Sequence, residues 1–200
     1  MSQIPDTFGC VNNTIKVAAG HYVDLAKPDP ATIEIQSIAA ALSKICRYGG
    51  HCPRFYSVAE HCVLATNLAV ADGCSLREQQ AVFMHDAAEA YIGDMTKPLK
   101  MLMREYAEVE TRVEFAIENA FMLSFCRWYE TIKRYDRAML KAEKTAMWPD
   151  DRELWAGFAD IELRAVDFQF WGPREAEINF LAMARSLLLC RPDIRVLRAS

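Results

Sequence analysis

The run His85-Asp86-Ala87-Ala88-Glu89, followed by Gly93-Asp94, constrains this chain more than any other stretch. Residues Gln80 to Ile92 are good helix formers almost free of breakers, and Ser75 with Glu78 has the spacing of a capping box that opens the helix. Ala81, Val82, His85, Ala88, Glu89 and Ile92 share the spacing of one helix face. His85 and Glu89 therefore sit on an otherwise apolar stripe, with Asp86 beside them. Two acids and an imidazole turned toward a core are costly unless something pairs them. A divalent cation satisfies several at once.

Two further stretches repeat the pattern. Ser57 and Glu60 form a second capping box, and Val58, His61, Cys62, Ala65, Leu68 and Ala69 then fall on one helix face, so His61 points inward. In a helix from about Thr131, Asp136, Met139, Leu140, Glu143 and Met147 share a face, which turns Asp136 inward as well. Any one of these alone is more often a hydrogen-bonded core residue than a ligand. His61, His85, Asp86 and Asp136 together, on helices of one pattern, shift the balance to a metal site. Two imidazoles and two carboxylates suit Zn, Mn, Fe, Co or Ni without choosing among them. A rival site would use the thiols of Cys46, Cys52 and Cys62 with a histidine as structural zinc ligands, but their spacing is not that of a zinc finger or ribbon.

The remaining elements are consistent with one all-α domain spanning residues 1–200. Thr14–Ala18 and Tyr22–Leu25 alternate weakly around Ala19-Gly20 and predict a small N-terminal hairpin. Ile35, Ile38, Ala39, Leu42 and Ile45 mark a helix that Gly49-Gly50 stops. Asp94 to Lys100 reads as an acidic then basic loop. A long helix follows over Leu102 to Met122, with Val109, Val113, Ala116, Ile117 and Ala120 inward. Residues 150–172 read as loop with a short helical turn. A last helix begins at Pro173 and runs to about residue 191, with Ile178, Leu181, Ala184 and Leu188 inside.

Composition excludes several classes. Hydrophobic residues make up 52% of 200, enough for a full core. A net charge of −4 gives no basic face for long nucleic acid, though local Lys and Arg can hold a small anion. No apolar run is long enough for a membrane helix. Seven scattered cysteines without a C-x-x-C pair, and no signal peptide ahead of them, predict free thiols in a reducing cytoplasm. Phe121, Met122, Phe125, Trp128 and Tyr129 exceed what one small core needs and predict a homo-oligomer.

The four ligand candidates, in the order H…HD…D, resemble the signature of the HD-domain metal-dependent phosphohydrolases. The likeness extends to Arg47-Tyr-Gly-Gly-His51, to Phe55-Tyr-Ser-Val-Ala-Glu-His61, and to Met84-His-Asp-Ala-Ala-Glu-Ala-Tyr-Ile-Gly-Asp94 with Pro98-Leu-Lys100. These are similar to the small nucleotidase branch: the 5′-deoxynucleotidases, the YfdR-like prophage proteins and the DatZ-type phage dATP triphosphohydrolases. The likeness covers residues 14–145 and is most specific over 47–100. It implies an all-α HD fold, with His61, His85, Asp86 and Asp136 as metal ligands. Glu89 would orient or activate the attacking water, and Asp94 would be a second acid at the site. Arg47, His51, Arg54, Lys97 and Lys100 would face phosphate, with a solvated loop the competing role for Lys97 and Lys100. Phe55, Tyr56 and Pro98 would flank a base, with core packing the competing role for the aromatics. Further Mg or Co ions would sit at the phosphates.

The implied substrate is a deoxynucleotide. A dNTP cleaved to nucleoside and triphosphate is favoured, with dATP first, because the five basic residues exceed what one phosphate requires. A 5′-deoxynucleotidase releasing phosphate from dNMPs is the alternative, and a non-catalytic nucleotide-binding domain is a third reading. Ile-Gly-Lys does not follow the His-Asp pair, as it does in cyclic-dinucleotide phosphodiesterases. Ala90 stands where alarmone hydrolases carry a second acid.

Overall fold

The computed structural model describes residues 13–152, 158 and 160–189. Strands β1 (Thr14–Lys16) and β2 (Tyr22–Asp24) pair antiparallel, with Ile15 opposite Val23. The rest is helical: α1 (Ile35–Leu42), α2 (Val58–Ala71), α3 (Leu76–Met84), α4 (Glu89–Ile92), α5 (Lys97–Lys100), α6 (Arg104–Phe121), α7 (Tyr129–Met147) and α8 (Pro173–Ser186). The fold is thus all-α with a minor β-hairpin.

Helix α2 is the hub, packing against α3, α7 and α8. It is therefore buried from Val58 through Thr66 without a break, not along one stripe only. Glu60, Cys62 and Thr66 are all inside. One core joins α1, α2, α3, α6 and α8 through residues such as Ile38, Leu42, Phe83, Ile117 and Phe180. A second lies between α2 and α7 around Tyr56, Leu64, Tyr135 and Met139. The cluster that follows sits between α2, α3 and α7.

Several boundaries depart from the sequence pattern. α1 ends at Leu42, well before Gly49-Gly50, because Cys46 pairs with Ser57 in an isolated antiparallel bridge. The helix through His85 is not continuous. Ala87, Glu89 and Ala90 donate their N–H groups three residues back, to Met84, Asp86 and Ala87, so residues 85–88 form a tightened turn between α3 and α4. Lys97–Lys100, read as loop, is one helical turn with Pro98 in its first positions. α8 buries Ala176, Phe180 and Ala184 and ends at Ser186, with residues 190 and 191 outside the described residues. Ile178 and Leu188, expected inside, are 57% and 74% exposed. The ring of Phe180 packs at 4.3 Å against that of Phe83, tilted by 33°, which sets the rotation of the helix.

Candidate metal centre

Both capping boxes have their predicted N-cap, but only one is closed. Ser75 accepts from the Glu78 N–H, and the Glu78 carboxylate returns to Ser75. Ser57 accepts from the Glu60 N–H at 3.1 Å. The Glu60 carboxylate turns away and accepts from the backbone N–H groups of Gln169, Phe170 and Trp171 at 3.0, 2.8 and 2.8 Å. It ties the segment before α8 onto the start of α2, one residue ahead of His61.

Four side chains from three places in the chain converge. Nε2 of His61 and Nε2 of His85 are 3.4 Å apart. Asp86 Oδ2 stands 3.6 Å from the first and 3.2 Å from the second. Asp136 Oδ1, from α7, stands 3.9 and 4.0 Å from the same two nitrogens. Ligand atoms about 2.1 Å from a shared ion lie roughly 3.0–3.4 Å from one another. His61, His85 and Asp86 match that closely and form a group able to hold a metal ion, and Asp136 is a looser fourth. Its side chain is also the most exposed of the set, so the cluster faces solvent on the α7 side.

The outer hydrogen bonds fix the imidazoles as donors of lone pairs. His85 Nδ1 donates to the Val82 carbonyl at 2.7 Å, one turn back in α3. His61 Nδ1 lies 2.6 Å from Glu143 Oε1. With both Nδ1 protons committed outward, both Nε2 lone pairs face inward toward each other. Such an arrangement is unfavourable in a buried site unless positive charge lies between them. Burial alone would lower the His85 pKa, but the Asp86 and Asp136 carboxylates hold it above the ordinary histidine value.

Glu143, not assigned a role from the sequence, is fully buried and accepts four hydrogen bonds. Besides His61 they come from Tyr48 Oη, from Tyr56 Oη at 2.9 Å and from Arg47 Nη2 at 3.2 Å. Burial would raise its pKa, but Arg47 and His61 outweigh burial and hold the carboxyl well below the usual range. Its place was half legible, because it lies two turns after Asp136 on the same face. Tyr56 is completely buried by this role, so it packs in the core and does not flank a base.

Arg47 is buried and its guanidinium bridges two carboxylates, with Nη1 3.4 Å from Asp86 and Nη2 on Glu143. Glu89 is 5% exposed. Its Oε1 is 3.9 Å from Lys100 Nζ, and its Oε2 has no hydrogen-bond partner among the described residues. Burial, with the neighbouring Asp86 and Asp94 charges, pushes its pKa well above the usual carboxyl value. Asp94 is half-buried and raised for the same first reason. Lys100 Nζ donates to Glu110 at 2.8 Å. Lys133, which the sequence reading passed over, lies 3.6 Å from Asp136 Oδ2. It also lines a cavity of about 300 Å³ in which Arg134, Arg137 and Arg164 alternate with the acids Glu130, Asp160 and Glu162.

The other expected phosphate contacts lie at the surface. His51, Lys97 and Pro98 are exposed, and His51 and Lys97 make no ion pair among the described residues. Arg54 is exposed and lies 3.9 Å over the ring of Phe170. Phe55 is 36% exposed. The rival thiol site is not assembled. Cys46 and Cys52 touch, but His61, His85 and Asp86 are the only group of metal-ligating side chains among the described residues, and Cys62 is not in it. Of the aromatic cluster read as an interface, Phe121 and Phe125 are taken up by the core, while Met122 and Tyr129 remain exposed. No helix among the described residues is long and apolar enough to cross a membrane.

No family model matches the chain. It is 35% identical over 144 residues to the uncharacterized protein YfdR of Escherichia coli (strain K12), covering 70% of this chain and 76% of that protein. It is 31% identical over 152 residues to the uncharacterized protein RCAP_rcc00048 of Rhodobacter capsulatus, covering 74% of this chain and 75% of the relative. At 35% identity over 76% of that protein, the chain belongs to the family of YfdR-like proteins.

Proposed function

We propose that the protein is a metal-dependent phosphohydrolase of the HD type acting on deoxynucleotides, with a dNTP cleaved to nucleoside and triphosphate as the favoured reaction. The observation that carries this reading is the convergence of the His61, His85, Asp86 and Asp136 ligand atoms, with a buried Glu89 oxygen that has no hydrogen-bond partner among the described residues. His61, His85, Asp86 and Asp136 would hold a divalent transition ion, which would supply Lewis acidity toward water and a phosphoryl oxygen. Glu89 takes or relays the proton, and burial raises its pKa well above the usual carboxyl value. Asp94, on the loop after α4, adds negative charge that keeps Glu89 basic.

Lys100 and Lys133 stand on either side of this chemistry, one near Glu89 and one near Asp136. They can neutralise charge spread over phosphoryl oxygens. The cavity beside Lys133 carries Arg134, Arg137 and Arg164 but also Glu130, Asp160 and Glu162, and Asp72 already pairs Arg134 and Arg164, so the preference for a triphosphate rests on the sequence resemblance over residues 47–100. Additional Mg or Co at the phosphates, a cytoplasmic location and a homo-oligomer belong to the same reading.

The test is purified protein with each dNTP and dNMP, with Mn or Co added and products resolved by chromatography. Inorganic triphosphate appearing with deoxyadenosine supports the reading. Orthophosphate from dNMPs alone assigns the protein as a 5′-deoxynucleotidase. Nucleotide binding with no product in any reaction makes it a non-catalytic domain.

A further inference from the structure

Cys46 and Cys52 flank the turn that delivers Arg47 and Tyr48 to Glu143. Their Sγ atoms are 3.4 Å apart. The approach is produced by the backbone between them. Tyr48 and Gly49 both adopt left-handed conformations, with φ of +59° and +60°, and curl the chain back on itself. Tyr48 is held in this unfavourable state by its hydroxyl on Glu143 and by an edge-on contact with Trp148 at 5.2 Å. Both thiols are half-buried, so a small reagent can reach them, and Cys52 donates to the Arg47 carbonyl at 3.6 Å. A disulfide needs a sulfur separation of about 2.05 Å, so the pair has to close by only about 1.4 Å.

We propose that Cys46 and Cys52 form a reversible disulfide site that couples thiol oxidation to the metal centre. The oxidant is a low-molecular-weight disulfide of the glutathione class. Cys46 attacks it, forming a mixed disulfide and releasing one glutathione thiol. Cys52 then attacks the Cys46 sulfur, loses its proton and releases the second glutathione. Two protein thiols are oxidised and one external disulfide is reduced to two thiols. Burial and the Cys46 contact push the Cys52 thiol up to about 11, so little of it is thiolate near neutral pH and closure is slow there, accelerating as pH rises. The bond closes a ring over residues 46–52. Arg47 and Tyr48 lie inside that ring and touch Asp86 and Glu143, so closure moves the groups that orient His61.

The test equilibrates the full chain with oxidised and reduced glutathione, traps free thiols by alkylation and maps the products by mass spectrometry. A linked Cys46–Cys52 peptide, about 2 Da lighter than the thiol pair and restored by dithiothreitol, is expected. Cys52→Ser is expected to stop at glutathione on Cys46. Mn²⁺ titration is expected to differ at least threefold between the oxidised and reduced wild type and to be unaltered by the same treatment of the double variant Cys46→Ser, Cys52→Ser. Full alkylation of both thiols at every ratio, or linkage of either to another cysteine, would overturn the site. A mapped Cys46–Cys52 bond with unchanged Mn²⁺ affinity would overturn the coupling. The peptide map does not depend on the metal reading, so failure of Mn²⁺ to bind either form would sink that reading and the coupling while leaving the disulfide standing.

Discussion

Glu143 Oε1 stands 2.6 Å from His61 Nδ1, so a carboxylate on α7 decides which nitrogen of an imidazole on α2 faces the cluster. Glu143→Gln keeps the volume but removes the charge that orients His61 and balances Arg47. Metal affinity is expected to fall by about 10–100-fold. Isothermal titration with Mn²⁺ checks this, and unchanged affinity would reduce Glu143 to a packing residue.

The same carboxyl gives acid sensitivity with a definite sign. Its folded pKa is depressed, as are those of Asp86 and of Asp72, which Arg164 holds at about 2. Depressed acids stabilise the fold above their unfolded values of about 4 and lose that contribution as pH falls toward the folded values. Stability is therefore expected to drop steadily below about pH 5. Glu143→Gln should flatten part of that slope in denaturant titrations run at several pH values. Asp72→Asn should flatten less, because Asp72 lies nearer solvent and its pairing is screened by salt. Equal slopes in wild type and Glu143→Gln would contradict the assignment.

Glu89 contributes to stability with the opposite sign. Its raised pKa means that ionisation inside the fold costs stability as pH rises. Glu89→Gln is expected to cut turnover by about two to four orders of magnitude while leaving metal content intact and the fold at least as stable at pH 8. Retained turnover would remove Glu89 from the mechanism.

Much of this site was legible because it is written in local periodicity. Helical spacing turned His61, His85 and Asp136 inward, and the N-caps Ser57 and Ser75 stand where their sequences put them. What failed depended on distant partners. Glu60 read as half of a capping box, but its oxygens go to Gln169, Phe170 and Trp171, more than a hundred residues away. Glu143 showed its face but not its partners, which come from the turn at Arg47 and Tyr48. The tightened turn at residues 85–88 left no trace in composition, since Ala87 and Ala88 are as good in an α-helix as in this turn. On α8 and just beyond it, Leu181 and Ala184 face the core as read, but Ile178 and Leu188 do not, because Ile178 outweighs Ala176 in apolar size while Phe83 selects Phe180.

That last point can be measured. Phe180→Ala is expected to destabilise by about 3–5 kcal/mol through the cavity it leaves. Ile178→Ala, on the exposed side, should stay within about 0.5 kcal/mol of wild type. Urea unfolding of both variants decides between the two helix phases, and a larger loss at Ile178 would reverse the assignment.

The central claim is that one cation is held by residues from α2, α7 and the turn between α3 and α4. Anomalous diffraction from crystals grown with Mn or Co tests it most directly. The account predicts a single strong peak with His61 Nε2, His85 Nε2, one Asp86 oxygen and one Asp136 oxygen within about 2.0–2.3 Å. A cluster without a peak, or a peak from which Asp136 is turned away, would contradict it.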